Sequence, residues 1–371
     1  MLRPLAGALL ILPRPYIAGK SMNNNTNHIK IKSSKKNKLF LPIIILFALS
    51  LVIAFIWSFF VGRFELSIKD VIVILSSKIC HIDKYWSDAA ETIVIKIRFP
   101  RIITAIMAGG ALSVSGASYQ TMFKNPMVSP DLLGVSAGAS FGAALVMLRS
   151  GAWWQIQASA LVFGLVAVAG AYIIAALLGK RNLTVLVLAG VVISSLFQSF
   201  LSIIKTLADT EDALPSITYW LMGSLSKSSN DNLGLVVGTV VIMMAVLFLF
   251  RHQIDAMAAG EAEARTMGVN VNLVKIVVIV CSTLMTVVTV SICGIVGWVG
   301  LVVPHISRAF VGASYGKLIT TSFLIGGLFL LIVDNLIRGA TAVDLPLGVM
   351  TALVGTPVFI AIIAKSGKEW R

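Results

Sequence analysis

Few residues in this chain could carry out chemistry, and their spacing argues against most of it. His305 follows Pro304 in an apolar stretch with no second His, Cys or carboxylate at ligand spacing. It therefore reads as a satisfied polar residue rather than a metal or proton site. Three cysteines argue against a disulfide framework and a thiolate metal cluster. Cys281 and Cys293 sit in apolar helix as small hydrophobes, and Cys80 falls in the first external loop. Gly19-Lys20-Ser21 has the ending of a phosphate-binding loop, but Arg14 stands where that motif needs its first glycine and no strand precedes it. The chain carries no nucleotide-hydrolysis machinery of its own. Asp334 reads as the single acid inside a membrane segment, too isolated to relay a coupling ion through a bundle. What remains is charge recognition. Arg98 and Arg101 flank Phe99-Pro100, Arg338 ends a later span, and guanidinium at such external helix ends either snorkels or grips carboxylates of a soluble partner.

The elements that must position these residues are membrane helices. Hydrophobic residues make up 57% of 371 and charged residues 12%, against about 25% charged in soluble domains. Continuous apolar runs without period-two alternation give an all-α polytopic membrane protein and exclude a barrel. Ten spans are expected, at roughly 39–61, 101–122, 133–148, 153–178, 183–204, 233–250, 272–293, 295–312, 318–337 and 346–364. An even count puts both termini on one side, and that side holds most of the Lys and Arg, including Lys35, Lys124, Arg251, Arg308 and Lys317. The positive-inside rule makes that side cytoplasmic. The net charge of +14 thus reports topology, and nucleic acid is not an expected partner.

Small residues recur at helical spacing. Gly134, Gly138 and Gly142 share one expected face, as do Gly109, Ser113 and Gly116. Such faces either pack helix on helix or line a pathway between them. Gly294, Gly297 and Gly300 precede Pro304-His305, which predicts a kinked, closely packed span. Between the second and third spans, Asn125-Pro126 and Pro130 enforce a rigid elbow at the cytoplasmic face, with Ser129 as N-cap and Pro130 as first helical residue. The loop 251–271 predicts one short helix over Ala256–Met267, capped by Asp255 and stopped by Gly268, either a connector or a docking helix for a cytoplasmic partner. Thr218–Leu225 is apolar but too short to span, and fits an interfacial or re-entrant helix. Residues 1–38 read as a disordered cytoplasmic lead, with Met22 a candidate true start and 1–21 upstream sequence, and residues 366–371 as a short cytoplasmic tail.

Several blocks together resemble the permease subunit of type II ABC importers, the family that moves iron–siderophore complexes, haem and cobalamin. They are RFPR at 98–101, the stretch Gly109–Gln120, NPMVSPDLLGVSAGAS at 125–140 and WLMGSL at 220–225. GEAEARTMGVN at 260–270, GIVGWVGLVVPHISR at 294–308 and DLPLGVMTALVGTPVF at 344–359 complete the series. The resemblance implies ten helices per subunit in the cytoplasmic membrane of a bacterium or archaeon, and a pathway between two permease copies, identical or closely paralogous. It also implies two cytoplasmic ATPase subunits and an extracytoplasmic substrate-binding protein. Ala259, Gly260, Glu261, Ala264, Met267 and Gly268 are then similar to the coupling helix, and Arg98, Arg101 and Arg338 to the arginines that meet the binding protein. The elbow and the glycine faces, with Gly297, Gly300, Pro304 and His305, become pathway or packing residues. ATP and Mg2+ would reside on the ATPase, with no cofactor on this chain. An iron–siderophore-type chelate is the expected cargo, with haem or cobalamin as alternatives. An ion-coupled secondary transporter is the alternative of another class.

Overall fold

The structure is a computed structural model that describes residues 22–64, 66–77, 83–178, 183–340 and 345–366. The chain divides into two units, residues 1–39 and 40–371. In the first, the described part is helical from Met22, where an unstructured lead was the expectation. The second begins with α1, Phe40–Ser58. Helix α2 (Ile68–Ser76) follows, then α3 (Asp88–Glu91), which passes through a π-helical turn at Thr92–Arg98 into α4 (Phe99–Met122). A 3-10 turn at Pro130–Leu133 precedes α5 (Val135–Met147), α6 (Trp153–Leu177), α7 (Leu183–Leu207), the short α8 (Ala213–Leu221) and α9 (Asn230–Leu249). The chain ends with α10 (Arg251–Ala259), α11 (Glu261–Thr266), α12 (Val271–Cys293), α13 (Val299–Val311), α14 (Tyr315–Ala340) and α15 (Leu347–Ser366).

Seven of these are long and apolar enough to cross a bilayer: α1, the run from α3 through α4, α6, α7, α9, α12 and α14. Three of the ten expected spans are shorter apolar helices, namely α5, α13 and the Leu347–Ala361 part of α15. At 1.5 Å per residue, the 13 residues of α5 extend only about 20 Å, short of the roughly 30 Å hydrocarbon layer. The second span is longer than expected. Arg98 and Pro100 lie within a continuous 35-residue helical run, Asp88–Met122, rather than at its mouth.

Helix α4 is the centre of the packing, in contact with α9, α12, α13 and α14, and almost every residue from Ile102 to Met122 is buried. Its glycines let backbones touch. A Cβ at Gly109 would lie 2.1 Å from the Gly326 carbonyl oxygen of α14, and one at Gly116 1.8 Å from that of Gly300 on α13. Gly138 and Gly142 do the same for α5 against α6, each 2.4 Å from a carbonyl, of Phe163 and Ser159 respectively. Close approach of this kind maximises van der Waals contact where lipid removes the hydrophobic incentive to associate. Helix α1 lies at the other extreme, with no residue of its apolar window fully buried, although Phe47, Leu51, Ala54 and Phe55 pack against the core.

Several local expectations are corrected. Gly134 is not on the α5 face: it precedes the helix in the left-handed region, at φ +84°, where a side chain is strained. Gly294 and Gly297 precede α13 rather than belong to it, because Gly294 at φ +68° and Trp298 at φ +70° turn the chain before Val299. A Cβ at Gly297 would meet open space. Gly294 and Gly300 are both tight contacts: a Cβ at Gly294 would lie 2.3 Å from the Trp220 carbonyl oxygen, and one at Gly300 2.6 Å from the Pro130 ring. Pro130 does open a helical turn behind Ser129, but that turn is 3-10 and Ser129 makes no side-chain cap. The helix expected over Ala256–Met267 is instead two, α10 and α11, broken at Gly260. Asp255 does not cap it; its carboxylate accepts the Tyr315 N–H at 2.7 Å and caps α14 from across the structure. Gly268 does stop α11, at φ +80°.

Candidate functional site: the elbow, the α7 face and the coupling segment

The expected external arginines form an internal cluster. Arg338 and Asp334 lie one turn apart on α14 and pair at 2.9 Å. Arg101 on α4 donates through Nε to the same carboxylate at 2.8 Å. Asp334 is fully buried, so the pair of guanidiniums supplies the partners a desolvated charge needs. Arg338 also donates to the carbonyls of Ser58 and Val61, both at 3.1 Å. Arg98 reaches the carbonyls of Phe59 and Phe64. The cluster therefore ties the end of α1 and the loop after it to α4 and α14. Arg98 and Arg338 are buried, and in this conformation their donors serve the chain's own backbone rather than face outward.

At the opposite end, α10 packs against α4 and α14, and α11 follows it as a short helix with mostly exposed residues. Ala264 is fully buried and anchors it, while Met267 at its tip is 69% exposed. Glu261 pairs with Lys275 of α12 at 2.6 Å, which fixes the tilt of α11. Gly260 is buried, and Ala259 and Gly268 are exposed. Lys124, just beyond α4, donates to the Ala259 carbonyl at 3.0 Å. That bond joins the segment to the elbow.

The elbow begins with an exposed turn in which the Asn125 side chain accepts the Met127 N–H at 2.9 Å, with Pro126 between them. It then runs inward against α7. A Cβ at Gly190 would lie 2.4 Å from the Leu132 carbonyl, and one at Gly134 would lie 3.0 Å from Ser194 Oγ. Beneath it is a cavity of about 340 Å³ lined by Ser129, Asp131, Leu132, Val191, Ser194, Ser195 and Gln198. Asp131 accepts the Ser136 hydroxyl. The α7 residues here stand 8 to 15 positions beyond Leu183, roughly 12–22 Å along the helix. The inner part of the elbow is thus level with the middle of α7 rather than at its end. Asp131 becomes a second acid at membrane depth, beside Asp334.

From that cavity a polar stripe continues along α7. Ser195, Ser199, Ser202 and Thr206, at i, i+4, i+7 and i+11, are all exposed, as is Gln198. Each of the four hydroxyls donates to the carbonyl four residues earlier. Around them on the same helix are exposed Leu188, Val192, Leu196 and Ile203. The sequence reading missed this face because an isolated hydroxyl barely lowers the hydropathy of a span. Its signal is the spacing.

The structure thus brings the coupling residues to one end, the elbow to mid-depth and the arginines to the other end. It does not bring His305 to a site. His305 is half-buried on α13, and no group of three metal-ligating side chains occurs among the described residues. Cys80 lies outside the described residues, and Cys281 and Cys293 are buried free thiols.

Comparison with known proteins agrees with this architecture. Residues 50–365 match the FecCD transport family. The molybdate import system permease protein MolB of Haemophilus influenzae is 32% identical over 323 residues, 86% of this chain and 95% of that one. A probable iron chelatin transport system permease protein of Helicobacter pylori is 35% identical over 74% of this chain and 83% of its own length. Among solved structures, an inward-facing conformation of a putative metal-chelate type ABC transporter superposes with TM-score 0.78 at 30% identity, covering 87% of this chain and 99% of that one. The apolar helices, the glycine seams and a match over most of the length converge, and the chain belongs to the FecCD transport family as an ABC importer permease, an integral membrane transport subunit rather than an enzyme.

Proposed function

We propose that two copies of this chain enclose a translocation pathway along their α7 faces, with two ATPase subunits seated on α10 and α11 and a binding protein delivering cargo from outside. The observation that carries the proposal is the largely exposed α11 segment. It has an apolar Met267 knob, a buried Ala264 anchor and a direct bond from its neighbour Ala259 to the elbow through Lys124. A helix docked in a groove of a partner uses such a knob. ATP binding draws the two α11 segments together, and the Lys124 link passes that movement to the elbow and the α7 face, giving alternating access. All ten apolar helices cross or enter the bilayer, with both termini cytoplasmic, a reading supported by the placement of Lys and Arg. ATP and Mg2+ stay on the ATPase, and this chain binds no cofactor. Arg98, Arg101 and Arg338 hold the external rim on which the binding protein sits. The cargo is an iron–siderophore-type chelate, a reading the iron chelatin relative supports, with haem and cobalamin as alternatives.

Co-purification in mild detergent tests the coupling role. The wild-type permease is expected to retain a nucleotide-binding subunit at about one per copy. Met267→Asp is expected to release it while leaving the permease monodisperse. Full retention by the variant would refute the docking role of α11.

A further inference from the structure

The cavity under the elbow has a consistent polarity. Among the described residues, its one charged lining residue is Asp131 and no basic side chain lines it. Ser194 and Ser195 have turned their hydrogens inward, to the carbonyls of Gly190 at 2.7 Å and Val191 at 2.9 Å. Each presents oxygen lone pairs to the cavity, because a hydroxyl has one hydrogen and two acceptor sites. Ser136 has likewise given its hydrogen to Asp131. Only the Ser129 hydroxyl and the Gln198 amide keep donor capacity there, and the amide supplies an acceptor as well. Farther along α7, Ser199, Ser202 and Thr206 repeat the inward-turned arrangement. The wall is therefore rich in acceptors and carries negative charge.

We propose that this cavity is a station of the pathway selective for hydrogen-bond donors and cations. It takes the hydroxyl, ammonium or hydrated-cation face of a passing solute and disfavours an oxyanion. The proposal rests on α7 lining the pathway and narrows the class of cargo. An acceptor facing an anion leaves both lone pairs unmatched, and a carboxylate adds repulsion. A chelate whose outer surface offers N–H or O–H groups meets partners at each of these oxygens instead. By this polarity a bare tetrahedral oxyanion is a poor fit.

Charged thiol reagents test the station directly. The permease, purified with its ATPase, carries Ser195→Cys in a background where Cys80, Cys281 and Cys293 are replaced. It is treated with cationic trimethylammonium-ethyl methanethiosulfonate or anionic sulfonatoethyl methanethiosulfonate. Each rate is normalised to that reagent's rate with a free thiol. The cation is expected to lead by about tenfold, and Asp131→Asn to remove most of that lead. Thr206→Cys, outside the cavity, is expected to show a smaller preference, which keeps the comparison informative if Asp131→Asn does not fold. Equal rates, an anion lead, a lead indifferent to Asp131→Asn, an undiminished lead at Thr206→Cys or no labelling by either reagent would each overturn the station. Retention of the ATPase in the same preparation reports separately on the importer reading.

Discussion

On α4, Gly109, Ser113 and Gly116 follow one face and vanish into contacts with α13 and α14. On α7, Ser195, Ser199, Ser202 and Thr206 follow one face and stay uncovered. Both helices place small and hydroxyl residues at the same spacing in apolar spans, and Ser113 donates to the Gly109 carbonyl of its own helix at 2.7 Å as the α7 hydroxyls do, but other α4 hydroxyls reach across to neighbours. On α4, Ser115 donates to the Ser282 carbonyl of α12 at 3.1 Å, and Ser118 meets the Tyr315 hydroxyl at 2.7 Å. On α7 the stripe's hydroxyls all bond within their own helix. One face is a seam that holds the subunit together, and the other is a surface that holds nothing within the subunit. The difference teaches that small-residue spacing marks close approach only where a neighbour supplies a complementary backbone.

The largest expected contrast is steric. Gly116→Val should abolish folding, since its Cβ would overlap the Gly300 carbonyl, while Ser199→Val on α7 should leave a monodisperse subunit; size-exclusion profiles decide it. A correctly folded Gly116→Val would break the comparison. Next comes charge. Asp334→Asn strips two buried guanidiniums of their carboxylate and should cost about 3–5 kcal/mol, read as a large drop in melting temperature. Asp131→Asn has no basic partner to orphan and should cost within about 1 kcal/mol. Third is transport. Gln198→Leu with Ser199→Val should slow uptake several-fold at unchanged stability, whereas a seam variant loses uptake only as it loses folded protein. The smallest contrast is a single hydroxyl. Ser115→Ala should cost about 1 kcal/mol because it removes a buried interhelical hydrogen bond, and Ser195→Ala only a few tenths.

Much of the scaffold was legible because membrane helices declare themselves locally. Apolar runs long enough to span are read from composition, and Pro126, Pro130 and Gly268 punctuate the chain where the structure turns. The glycine contacts of α4 and α5 followed from spacing, although Gly134 and Gly297 did not join them. The misses share a cause. The early turn at Trp298 and the depth of the inner elbow depend on partners distant in sequence, as does the Asp255 cap on α14. Asp131 looked cytoplasmic because charge placement assigns a loop to a side and says nothing about how far the loop dips. The arginines looked external for the same reason, when Asp334 and the carbonyls after α1 draw them inward. The α7 stripe could have been read from its i, i+4, i+7 spacing, but only the fold shows that none of the described residues covers it.

The central claim is that α7, and not α4, faces water inside the assembled transporter. A cysteine scan with a bulky hydrophilic maleimide tests it most directly, comparing Ser195, Ser199, Ser202 and Thr206 with Ser113, Ser115 and Ser118 in the permease–ATPase complex. The account predicts labelling along the α7 stripe, changed by nucleotide, and silence along α4. Labelling of α4, or an α7 stripe that reacts only with a lipid-soluble maleimide, would contradict it.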